Sequence, residues 1–149
     1  MTATGACVVS RVATAERLTG SMGAAPITVL LADDDEGFLY SLRELIDRQP
    51  ELEVVAAARN GLEAIELVDE VEPDAAVVDL HMPLLDGVSA LARMRRDHPT
   101  ICLIALTGDP DRALHRAAEE AGADGVLEKT EMLGVLVERL GNARTARGG

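Results

Sequence analysis

Lysine is almost missing from this chain. It occurs once, at Lys129, against 13 arginines. Aromatic residues are equally scarce: there is no tryptophan, and Phe38 and Tyr40 are the only two rings of their kind. That scarcity argues against stacking platforms for bases or flavins. The two cysteines, Cys7 and Cys102, lie far apart and form no metal-type spacing. This usage points to a reducing, cytoplasmic compartment. No apolar run approaches the roughly 18 residues of a membrane span. The early apolar runs are short and broken by Arg11, Glu16 and Arg17, so no secretory signal is read there. Basic charge is in deficit, with 26 acidic against 14 basic residues and a net charge of −12. Direct binding to nucleic acid or to an anionic membrane needs the opposite balance.

What is present is enough for one core. The chain has 149 residues, 48% of them apolar, which suits a single domain and excludes a disordered chain. Residues 1–25 are rich in Ala, Thr, Gly and Ser and lack sustained periodicity, so they are expected to form a flexible extension. Met22, just before the first strong strand, offers an alternative start. Residues 142–149 are expected to be a disordered tail. The folded domain is expected over 26–141.

Within that domain, apolar runs alternate with helical stripes. Ile27 to Ala32 is wholly apolar but for Thr28, the mark of a strand buried on both faces. Asp35 to Gln49 follows with Phe38, Leu42, Leu45 and Ile46 on one helical face. A strand is expected over 52–58 and a helix over 62–71, with Leu62, Ile65, Val68 and Val71 on its stripe. A third strand spans 74–79 and a third helix 87–97. Ile101 to Leu106 is a further strand. Asp109 and Pro110 then look like an N-cap and first helical residue. That helix ends at Gly122. Residues 124–128 form the fifth strand, and Thr130 caps a last helix. This is (βα)5: an α/β, flavodoxin-like, doubly wound parallel sheet with strand order 2-1-3-4-5.

Ligands in such sheets gather at the carboxyl ends of the strands. Strand 1 ends in Asp33-Asp34-Asp35, strand 3 in Asp79, strand 4 in Thr107, and strand 5 in Glu128-Lys129. Crowded carboxylates cannot all stay ionised without a cation. A hard divalent ion such as Mg2+ resolves this with oxygen ligands and waters. A carboxylate beside it can act as nucleophile toward a phosphoryl group. Lys129 and Thr107 would supply a compact positive charge and a hydroxyl donor.

Four segments carry a resemblance: Val-Leu-Leu-Ala-Asp-Asp-Asp (29–35), Val-Val-Asp-Leu-His-Met-Pro-Leu-Leu-Asp-Gly (77–87), Ile-Ala-Leu-Thr-Gly (104–108) and Gly-Val-Leu-Glu-Lys-Thr (125–130). In order and spacing the chain resembles the response-regulator receiver domains of two-component signalling. The resemblance implies that Asp79 is the phosphoacceptor. Asp34 would be the direct Mg2+ ligand, Asp33 its acidic partner acting through water, and the His81 backbone carbonyl a third protein ligand. Thr107 would be the switch hydroxyl and Lys129 the phosphate-pairing lysine. The side chains of His81 and Asp109 would flank the phosphoryl group and tune its lifetime. The donor would be a histidine kinase or phosphotransfer protein, or a small donor such as acetyl phosphate.

Two positions depart from the family pattern. Val126 stands where an aromatic switch residue is common, and Thr130 where proline is common. The expected function is a stand-alone, phosphorylation-controlled switch. It would act on a downstream protein, or through a homodimer, by the face of helix 4, strand 5 and helix 5. No enzymatic activity on an external substrate is expected, since position 81 holds His rather than a second acid–base carboxylate. The alternative is a receiver-like scaffold or binding module that phosphorylation does not regulate, a reading that Val126 sustains.

Overall fold

The computed structural model describes residues 25–108 and 111–136. Its elements are β1 (Ile27–Ala32), α1 (Glu36–Asp47), β2 (Leu52–Ala58), α2 (Gly61–Val71), β3 (Ala75–Asp79), α3 (Gly87–Asp97), β4 (Cys102–Thr107), α4 (Arg112–Ala121) and β5 (Gly125–Glu128). Helix α5 is described over residues 129–136. The sheet order is β2-β1-β3-β4-β5, and every pairing is parallel. This is the expected order. The expected extension and tail lie outside the described residues, as do Asp109 and Pro110.

The apolar strands are explained by two cores. Successive strand residues point to opposite faces. Val29 and Leu31 face Leu42 and Ile46 of α1 and Met132 and Leu136 of α5. Leu30 and Ala32 face Ile65 and Val68 of α2, Leu91 and Met94 of α3, and Ala118 of α4. Both faces are therefore covered, and no alternation with polar residues survives in β1, β3 or β4. Each fully buried Leu or Met contributes about 1.5–3 kcal/mol of transfer free energy.

Four helices start on side-chain caps. Asp35 accepts the N–H of Phe38, Asn60 that of Glu63, Asp86 that of Ser89, and Asp111 those of Ala113 and Leu114. Each cap satisfies a donor that the first turn leaves orphaned. The cap of α4 is thus Asp111 and not Asp109. Helix α5 starts before Thr130: Glu131 reaches back to accept the Glu128 N–H at 2.7 Å, as the third helical residue of a capping box does.

The stripe of α2 also differs from expectation. Leu62 and Val71 are exposed, and the buried face is Gly61, Ala64, Ile65 and Val68. The close contact at Gly61 explains the shift, because a Cβ there would overlap the Leu85 carbonyl. Cys102 is buried in β4. Among the described residues no helix is long and apolar enough to cross a membrane.

Candidate functional site

Strands β1 and β3 are neighbours, with Ala32 opposite Val78. The residues that follow, Asp33 and Asp79, therefore sit side by side at the carboxyl rim, where the strand order reverses. Asp79 pairs with Leu106 and Thr107 with Glu128. The rim thus runs in order from Asp33 through Asp79 and Thr107 to Lys129.

Burial at this rim is severe for charged groups. Asp33 is 1% exposed and Asp79 2%. Asp33 Oδ1 accepts the Asp35 N–H at 2.8 Å, and Asp79 Oδ1 accepts the His81 N–H at 3.2 Å. Lys129 Nζ lies 2.8 Å from Asp33 Oδ2 and 3.5 Å from Asp79 Oδ2. One ammonium therefore spans both carboxylates.

The balance of these forces shows in the titration. Burial drives the Asp79 carboxyl up from 3.8 to about 6. The His81 N–H opposes this, the Asp33 carboxylate adds to it, and Lys129 opposes it. For Lys129, burial acts to lower the pKa. Contacts with Asp33 and Asp79 outweigh burial and leave it raised.

Asp33, Asp34 and Asp79 each offer one carboxylate oxygen, all within 4.8 Å of one another. Asp33 Oδ2 is buried and pairs with the Lys129 ammonium at 2.8 Å. Asp34 is exposed, which leaves room for waters on that side. An all-oxygen, anionic set of this kind fits Mg2+.

The other expected site residues are placed as follows. Thr107 is buried at the end of β4. The His81 side chain is exposed two residues past Asp79. Asp109 lies outside the described residues. Val126 is half-buried in β5, opposite Ala105. With Thr107, Asp111, Arg112 and His115 it lines a cavity of about 300 Å³.

Two features near Asp79 are not legible as such in the sequence. The Leu85 N–H bonds the Pro83 carbonyl at 2.8 Å, closing a tight turn around Leu84, whose φ is 71°. A non-glycine residue in that region is strained. The second feature is Phe38. Its place on the apolar stripe of α1 gives no sign of a functional contact, yet its ring centroid stands 4.7 Å from Lys129 Nζ. The available signal is that this chain spends its single phenylalanine five residues after Asp33.

The sequence profile of the response regulator receiver domain matches residues 29–141. A protein-glutamate methylesterase/protein-glutamine glutaminase 2 from Anaeromyxobacter dehalogenans is 40% identical over 107 residues, 72% of this chain and 31% of that protein. The transcriptional regulatory protein LnrK of Bacillus subtilis is 37% identical over 103 residues, 69% of this chain and 47% of that one. The chain thus spans less than half the length of these relatives. Among solved structures, the response regulator domain of Thermotoga maritima CheB has a TM-score of 0.70 at 30% identity. That match covers 83% of this chain and 98% of that domain. The signal receiver domain of NarL from Mycobacterium tuberculosis has a TM-score of 0.73 at 24% identity, covering 80% and 97%, and shows the shared fold. By profile, identity and architecture, this chain belongs to the response-regulator receiver domain family.

Proposed function

We propose that the chain is a phosphoryl acceptor on Asp79, dependent on Mg2+ and supplied by a histidine kinase or phosphotransfer protein. The observation that carries this is one lysine bridging two buried carboxylates at the sheet's switch point. Asp33, Asp34, Asp79 and the His81 backbone carbonyl would hold the ion. Bound there, Mg2+ supplies positive charge against the phosphoryl oxygens and the crowded carboxylates. An Asp79 carboxylate oxygen attacks phosphorus, and the donor's N–P bond breaks with its electron pair returning to the imidazole. An acyl phosphate results. Lys129 faces the new phosphoryl oxygens, and the Thr107 hydroxyl donates to one of them. His81 and Asp109 would tune the lifetime of the acyl phosphate.

The added charge then biases the surface of α4, β5 and α5 toward a downstream protein or a second copy. The acidic chain is unsuited to direct nucleic-acid binding. A kinase as donor argues for a cytoplasmic location. The test is incubation with Mg2+ and acetyl phosphate, followed by intact mass. Labelling is expected in the wild type and absent in Asp79→Asn or with EDTA. Labelling that persists in Asp79→Asn would overturn the assignment.

Val126 favours a second reading, a scaffold that phosphorylation does not regulate. A small side chain beside a cavity next to Thr107 leaves no aromatic ring to follow the hydroxyl. Beryllofluoride with Mg2+ separates the readings by NMR. Shifts across α4, β5 and α5 support the switch, and an unchanged surface supports the scaffold.

A further inference from the structure

We propose that Phe38 is a positioning residue for Lys129. Its ring would hold the ammonium over the Asp33–Asp79 pair, and so set where an incoming phosphoryl group meets its counter-charge. The inference rests on the reading of Asp79 as the acceptor.

A lysine is a point charge on a flexible stem. The two carboxylates hold Lys129 from one side. The ring of Phe38 meets it from another, 4.7 Å from centroid to Nζ, inside the range where a ring quadrupole attracts a cation. The ring is itself anchored. Phe38 is half-buried and packs on the core that α1 shares with α5. Its backbone N–H is held by Asp35 Oδ1 at 3.1 Å, and the Asp35 N–H is held in turn by Asp33 Oδ1. The loop that carries the carboxylates therefore also carries the ring.

An uncharged face suits this task better than another carboxylate. A carboxylate at this place would pair with Lys129 and compete with the phosphoryl group. The ring restrains the ammonium and leaves its charge available. It also stays the same when Asp79 changes from carboxylate to acyl phosphate, so Lys129 keeps one constant neighbour in both states.

The chain's single lysine makes the test clean, because a lysine-selective carbon label gives one set of side-chain signals. In the Mg2+-free wild type, the ring current should move the Lys129 ε-protons upfield. Phe38→Leu keeps an apolar side chain but removes the ring, and should return those signals to the position of free lysine. Phe38→Tyr should keep them near the wild type. With Mg2+ and acetyl phosphate, Phe38→Leu should label Asp79 about threefold to tenfold more slowly, the range a cation–π contact supports. Phe38→Tyr should restore the rate. Lysine signals unmoved in Phe38→Leu, or labelling at the wild-type rate, would overturn the proposal. If the wild type takes no label, the reading of Asp79 has failed. The lysine signals then decide alone, and signals unmoved by Phe38→Leu overturn the placement.

Discussion

Gly87 sits so close to the backbone of Asp79 that a Cβ on it would overlap the Asp79 carbonyl oxygen. The two residues are eight apart, and the Gly87 N–H also bonds the Leu80 carbonyl at 3.2 Å. Helix α3 thus begins directly against the strand end that carries the proposed acceptor. Gly87→Ala must push α3 or β3 aside, and overpacking of this kind costs about 1–3 kcal/mol. Urea unfolding should show a lower midpoint with an unchanged slope. Stability within 0.5 kcal/mol of wild type, as at an ordinary surface site, would show that the helix start yields freely.

Asp79 is costly to keep ionised. Its folded-state pKa is about 6 against an ordinary 3.8, so the folded state binds this proton more tightly than the unfolded one. Stability from this group is then present below about pH 4 and is lost as pH rises toward 6. Asn does not titrate and can still accept the His81 N–H. In EDTA at about pH 7.5, Asp79→Asn should be more stable than wild type by about 3 kcal/mol, since the carboxyl is raised from 3.8 to about 6 and each pKa unit is worth about 1.4 kcal/mol. Near pH 4 the difference should vanish. An equal gap at both pH values would show that charge is not its cause.

Mg2+ should reverse that penalty. Binding to the folded state alone stabilises by mass action, about 2.7 kcal/mol at a hundredfold excess over Kd. Thermal melting of the wild type should therefore rise with Mg2+ concentration. Asp34 is exposed, so Asp34→Asn should leave the Mg2+-free melt within about 0.5 kcal/mol and yet lose most of the Mg2+ response. A full response in Asp34→Asn would remove it from the ligand set.

Much of this site is legible in the sequence because strand ends are easy to find in a sheet covered on both faces. Apolar runs such as Val29–Ala32 stop where Asp33 begins, and the strand order brings Asp33 beside Asp79. Asp79, Thr107 and Lys129 each close or follow a strand, so counting strands suffices to place them. Helix details are less legible. A 3.6-residue period gives α2 a face but does not say which edge a neighbour covers, so Leu62 and Val71 look like core and are exposed. Two aspartates compete to cap α4, and local sequence does not choose between them. Phe38 has the pattern of a core residue; only the return of the chain at Lys129, 91 positions on, turns it toward a cation.

Arg95 and Asp124 tie α3 to the start of β5. The Arg95 guanidinium donates to Asp124 Oδ2 at 2.8 Å and to the carbonyls of Gly122, Pro99 and Ile101. The same Asp124 oxygen accepts the Leu103 N–H at 2.9 Å. Asp124→Ala strands that backbone donor and removes the carboxylate partner of the guanidinium. Both side chains keep some solvent contact, so the loss falls below that of a fully buried pair, at about 2–3 kcal/mol. Urea unfolding checks the value, and a loss under 0.5 kcal/mol would show that the carbonyls alone hold Arg95.

Lys129→Arg separates charge from shape. A guanidinium keeps the positive charge between Asp33 and Asp79, and it can also stack on the Phe38 ring. Mg2+-free stability should therefore change by less than about 1 kcal/mol, and the ion pair with Asp33 should persist. The planar fork is bulkier than an ammonium, however, and Lys129 already sits only 2.8 Å from Asp33 Oδ2 in a mostly enclosed place. A phosphoryl group on Asp79 must enter the same space. Labelling by acetyl phosphate should fall about tenfold or more, the loss expected when a charge is misplaced by an ångström or so. Lys129→Met should lose labelling further, because no counter-charge remains. If Lys129→Arg labels like the wild type, the site asks only for a positive charge, and the single lysine of this chain has no special fit to the phosphoryl group.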